Sequence, residues 1–123
     1  MPRVVHFEIS ADNPERAVNF YQSTFGWEIR RWEGPDEYWL IITGEDDEPG
    51  INGGMSHRQS APTADPVNIV EVPVLDEALI RVTDNGGQVF RSRASVSGIG
   101  FLAYCRDTEG NEFGMMELDA KAP

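Results

Sequence analysis

The sequence predicts an α+β fold of two tandem βαβββ repeats, whose curved mixed sheet forms a half-barrel around a cleft with the helices outside. Three observations predict it. The second half of the chain can be laid on the first at a constant offset of 61; each half contains one helical stretch followed by strand-like ones; and turn-rich segments separate them. At that offset Ala17, Val18 and Tyr21 fall on Ala78, Leu79 and Val82, Gly26 on Gly87, Leu40 and Ile41 on Phe101 and Leu102, and Gly53 on Gly114. A four-stranded sheet with a single helix covers only one of its faces, so two copies would enclose a ligand-sized cleft between their bare faces.

The elements follow in order. "VVHFEIS" alternates and opens on β-branched residues, as a strand does. "ADNPERAVNFYQSTFGW" is a helix with Asp12 or Asn13 as N-cap, Pro14 in the first turn, an apolar stripe of Ala17, Val18, Tyr21 and Phe25, and Gly26 as its stop. "WEIRRW", "EYWLIIT" and "INGGMSH" supply three strands, parted by "EGPD" and "GEDDEPG". The second repeat runs "VNIVEV", the helix "LDEALIRVTDN" closed by Gly86 and Gly87, then "QVFRSR", "GFLAYCRD" and "NEFGMMELD". Repeat one spans about 3–58, a polar linker about 59–66 and repeat two about 67–119, within one domain over 1–123.

At 40% hydrophobic residues the chain reads as globular, and its formal charge of −11 makes nucleic acid or an anionic membrane surface a poor partner. No basic segment followed by a long apolar run opens the chain, so the expected compartment is cytoplasmic. The lone Cys105, in the apolar "FLAYCRD", reads as a core residue, not a nucleophile. "GEDDEPG" lacks the ligand spacing of a calcium loop and reads as a solvated turn. No serine stands in a nucleophile-elbow context, and no glycine-rich loop opens a helix.

"VVHFEISADNPERAVNFYQSTFGWE", "LDEALIRVTDNGGQV" and "GFLAYCRDTEGNEFG" together resemble the vicinal oxygen chelate superfamily, the group of glyoxalases, bleomycin resistance proteins and ring-cleaving dioxygenases. Thr108 stands where that ending commonly has proline. The wording is most similar to small bacterial glyoxalase-related proteins. The resemblance implies a small organic ligand in the cleft, a homodimer, and in metal-dependent members four ligand positions on the first and last strand of each repeat. His6 matches the first position. The offset puts Val67 at the second (Asn68 with a slip of one residue), and the last-strand positions fall on Gly114 and Gly53. One ligand in four favours a cleft with no cofactor. The alternative is a lyase, isomerase or dioxygenase of the lactoylglutathione lyase type that uses Zn, Ni, Mn or Fe.

Strand alternation places Glu8 on the face of His6, where the two could form an acid–base pair; the plainer reading is a buried histidine satisfied by a neighbouring acceptor. The expected ligand-binding set is His6, Glu8, Trp39, Gly53, Met55, Glu71, Gly114 and Met116. In it the two glycines either open room for a ligand or permit tight strand packing. Of Trp32, Tyr38 and Trp39, one or two should face the cleft. Glu117 has the wrong parity to join them, and His57 lies farther along its strand.

Overall fold

A computed structural model describes residues 1–123 as eight strands and two α-helices, an α+β chain of two βαβββ units. No helix is long and apolar enough to cross a membrane. The residues group into two compact units, His6–Pro66 and Met1–Val5 with Val67–Pro123.

The first unit holds most of β1 (Arg3–Ala11), then α1 (Pro14–Phe25), β2 (Glu28–Arg31), β3 (Tyr38–Ile42), β4 (Asn52–His57) and a 3-10 turn over Arg58–Ser60. Asn13 is the N-cap of α1: its side-chain oxygen accepts from the Arg16 N–H at 3.1 Å, and Pro14 follows where no N–H is missed. Gly26 ends the helix in the left-handed region at φ 73° and donates its N–H to the Gln22 carbonyl. The sheet order is β2-β3-β4-β1, with β1 parallel to β4 and the other pairs antiparallel. Helix α1 covers one sheet face, where Ala11, Ile29, Ile41 and Met55 form the core with Phe7, Ile9, Val18 and Trp39 against them. Each such large apolar side chain contributes about 1.5–3 kcal/mol when fully buried.

The second unit has β5 (Val67–Glu71), α2 (Leu75–Asp84), β6 (Gln88–Val96), β7 (Gly100–Arg106) and β8 (Glu112–Leu118), in sheet order β5-β8-β7-β6. Strand β6 runs past the expected "QVFRSR" to Val96, bending through register shifts at Val89/Arg91 and Arg91/Ala94. Helix α2 covers a core of Val72, Leu75, Ala78, Ala103, Cys105 and Met115, which confirms Cys105 as a packing residue. On the opposite face Val67, Ile69 and Tyr104 pack with Phe90, Leu102 and Met116. The β7–β8 turn is closed by Asp107, whose carboxylate accepts from the Glu109 and Asn111 N–H groups and the Asn111 amide, which holds it below the usual carboxylate range.

Helix α2 begins without an N-cap side chain, because Val74 occupies that position. Glu117 on β8 substitutes: its Oε1 accepts the Leu75 N–H at 2.8 Å. This contact explains the parity of Glu117, which faces the helix and not the bare side of the sheet. Glu117→Ala should lower stability by about 1 kcal/mol and Glu117→Gln by less. Urea denaturation of the two variants, with amide exchange at the start of α2, measures both.

Candidate functional site

Along β1 the residues alternate. Phe7, Ile9 and Ala11 turn into the core under α1, so His6, Glu8 and Ser10 occupy the other face. In the parallel pairing His6 lies opposite Asn52, Phe7 opposite Gly53 and Glu8 opposite Gly54. On β3, Trp39 and Ile41 pack in the core, which leaves Tyr38 and Leu40 on the side of His6 and Glu8.

Tyr38 reaches from β3 across β4 to β1. It can do so because Gly54 has no side chain: a Cβ there would collide with the Tyr38 hydroxyl. The phenol oxygen stands 3.0 Å from His6 Nε2 and donates to Glu8 Oε2 at 3.2 Å. A phenol carries one proton. With that proton given to Glu8, the Tyr38 oxygen accepts from His6, so Nε2 of the neutral imidazole carries the hydrogen and Nδ1 is the basic nitrogen. Trp32 stands edge-on to Tyr38, with ring centroids 6.2 Å apart. His6 and Glu8 thus share a face as the sequence implied, but the group that joins them is a tyrosine.

Burial pulls the His6 imidazole below its ordinary 6.5, against the opposing charge of Glu8. The Tyr38 hydroxyl is pushed up by burial, by the Glu8 charge and by the hydrogen bond it donates. At neutral pH the three groups form a chain of neutral imidazole, protonated phenol and carboxylate. Such a chain can hold a polar ligand group or accept a proton at His6.

Three members of the expected set lie on the opposite side of the sheet. Trp39 is in the core beneath the Arg31 guanidinium, Met55 is fully buried, and the space above Gly53 is filled by the Phe7 ring. For Gly53 and Met55 the cause is a one-residue slip in the repeat; Trp39 lies on β3, after a loop that hides its register. Ile9 pairs with Met55, and its counterpart Val70 pairs with Met115, so the offset of 61 at β1 becomes 60 at β4. Gly54, not Gly53, is therefore the mate of Gly114, and every β4 side chain changes face. In the second unit Gly114, Glu71 and Met116 share the face of Val67 and Ile69, with Glu71 opposite Met116. The room at Gly114 is taken by Ile69 and the Tyr104 ring, which makes it a packing glycine. His57 accepts the Gln59 N–H at 3.4 Å and caps the 3-10 turn.

These donors do not fit a divalent metal. His6 gives Nε2 to Tyr38, the counterpart position Val67 is apolar, and Gly54 and Gly114 offer no side chain. No three His, Cys, Asp or Glu side chains cluster closely enough to hold an ion.

Residues 3–44 match the sequence model of the bleomycin resistance protein-like N-terminal family. No curated protein sequence gives a significant match. Among solved structures, a methylmalonyl-CoA epimerase in complex with methylmalonyl-CoA and NH4+ is 14% identical and aligns with a TM-score of 0.70 over 100% of this chain and 99% of its own. A Streptomyces coelicolor methylmalonyl-CoA epimerase bound to 2-nitronate-propionyl-CoA is 13% identical, with a TM-score of 0.72 over 100% and 99%. A hypothetical protein from Bacillus halodurans is 12% identical, with a TM-score of 0.73 over 98% and 97%. The chain has the vicinal oxygen chelate fold, as its sequence resemblance implied. The bleomycin resistance protein-like match is confined to the first third of the chain.

Two outcomes follow from this geometry. Gly54→Ala should displace the Tyr38 hydroxyl and cost about 1–3 kcal/mol in urea denaturation, whereas Ser56→Ala on the same strand should cost far less. Because His6 binds its proton less readily when folded, the unfolded chain takes up protons first. Its contribution is complete above pH 6.5 and is lost as the pH falls below that value. Melting temperatures between pH 7.5 and 5 should fall less steeply for His6→Gln than for the natural protein.

Proposed function

We propose that this protein binds a small organic molecule on the sheet face that carries His6, Glu8 and Tyr38, without a divalent metal. The observation that carries the reading is the three-residue hydrogen-bond chain at positions where no ligand set for an ion is assembled. The imidazole offers an acceptor at Nδ1, and the Tyr38 oxygen and the Glu8 carboxylate offer acceptors beside it. Leu40 on the same face supplies an apolar contact. The bleomycin-resistance-like match over residues 3–44 supports binding as the role.

A second reading has a specific observation in its favour. A neutral, partly buried imidazole with a free basic nitrogen is suited to accept a proton from a substrate, and Tyr38 and Glu8 would then stabilise the imidazolium that forms. The similar solved structures include epimerases that act on a coenzyme A ester, so a carbon acid is the substrate class this reading favours. Both readings keep a small molecule, and not nucleic acid or a membrane, as the partner, with a second copy of the chain as the proposed assembly.

The experiment is calorimetric titration of the natural protein, His6→Ala and Tyr38→Phe with Zn, Ni, Mn and Fe(II), alongside a thermal-shift screen of polar organic metabolites. The reading expects no stoichiometric metal binding, and a metabolite whose affinity falls about tenfold in Tyr38→Phe. Tight one-to-one metal binding that disappears in His6→Ala would overturn it.

A further inference from the structure

The first unit has a cavity of about 550 Å³ that the site above does not use. It lies on the helix side of the sheet, where Ile9, Ala11 and Met55 form the floor and Phe20, Arg16 and Arg58 the walls. Ile9 and Ala11 face away from His6 and Glu8 on β1, so the floor is on the other side of the sheet from that site, and only Ser10 at the end of the strand, through Arg58, reaches the rim from the His6 face. The volume falls in the range of small-molecule sites.

Its chemistry is specific. Arg58 is fastened as a wall: Nη1 pairs with Asp12 at 2.7 Å, Nη2 donates to the Ser10 carbonyl at 3.1 Å and Nε to the Ser10 hydroxyl at 3.4 Å. Asp12 is thereby neutralised. The Arg16 guanidinium has no such engagement, although the chain carries 21 carboxylate residues against 10 Lys and Arg. Phe20, 58% exposed, stands edge-on to Tyr21 with centroids 5.2 Å apart and leaves an aromatic face uncovered. An unpaired planar cation beside an uncovered aromatic ring and an aliphatic floor matches a ligand with one carboxylate and a flat apolar body.

We infer that this cavity binds small aromatic monocarboxylates, with the carboxylate on Arg16 and the ring between Phe20 and Ile9, above the buried Met55. The fork of the guanidinium meets both carboxylate oxygens, and the ring covers apolar surface of Phe20 and Ile9 that water now touches. A neutral analogue of the same shape keeps the apolar contact and loses the ionic one.

The test uses 3-phenylpropionate and 3-phenylpropanamide as probes on the full chain, read by NMR of the Met55 and Ile9 methyl groups and the His6 ring. The acid should shift the two methyl groups saturably by about 10 mM and leave the His6 ring signals in place, and the amide should bind about tenfold more weakly. Arg16→Gln should remove the preference for the acid, and Phe20→Ala should weaken both probes. Both side chains are exposed, so neither change threatens folding. The inference is overturned if the acid and amide bind alike, if the His6 ring responds before the methyl groups, or if no saturable shift occurs. Because its readout residues differ from those of the His6 site, either proposal can fail without the other.

Discussion

The arrangement of the first unit depends on the register of one pairing, β1 beside β4 in parallel with Glu8 opposite Gly54. That register sets two glycines in succession on β4, one for each face of the sheet. Gly53 admits the Phe7 ring into the core, and Gly54 admits the Tyr38 hydroxyl on the other side. With any larger residue at position 54 the tyrosine could not cross β4, and His6 and Glu8 would lose the group that joins them. The polar chain is therefore a consequence of backbone packing as much as of the residues that compose it.

The electrostatics follow from the same crowding. Burial disfavours both imidazolium and phenolate, so the protons stay where the hydrogen bonds want them, on Tyr38 and on His6 Nε2. Glu8 opposes burial at His6 but adds to it at Tyr38, which gives the chain a direction: proton donors point from the imidazole through the phenol to the carboxylate. A ligand or substrate meeting this face encounters a base at the imidazole end and acceptors at the other. The arrangement uses no metal donor set, yet it occupies the strand on which the resemblance placed the first ligand.

Much of the fold was legible because its signals are local. "DNPERAV" carries cap, first-turn proline and apolar stripe together, and Gly26 marks the stop, so α1 falls where its sequence says. The alternation of "VVHFEIS" assigned His6 and Glu8 to one face correctly. What escaped were relations between strands. One residue fewer precedes β8 in its repeat than precedes β4, and a period-two pattern turns that single residue into a change of face. Gly53 and Met55 lie on the core face for this reason, and Gly54 holds the position the offset gives to Gly53, whereas Trp39 is hidden by the loop before β3. Tyr38 follows the loop "EGPDE", whose length hides the strand register. The adjacent glycines of β4 were the available signal, since a double glycine inside a strand marks a close approach on each side.

The chain of groups depends on His6 being a neutral imidazole with its hydrogen on Nε2, held by Tyr38. Long-range nitrogen–proton NMR of the imidazole ring, followed through a pH titration, tests it most directly. The expected result is the Nε2–H tautomer at neutral pH and a midpoint below 6.5, with both changed in Tyr38→Phe. A ring with its hydrogen on Nδ1, or a midpoint above 6.5, would contradict it.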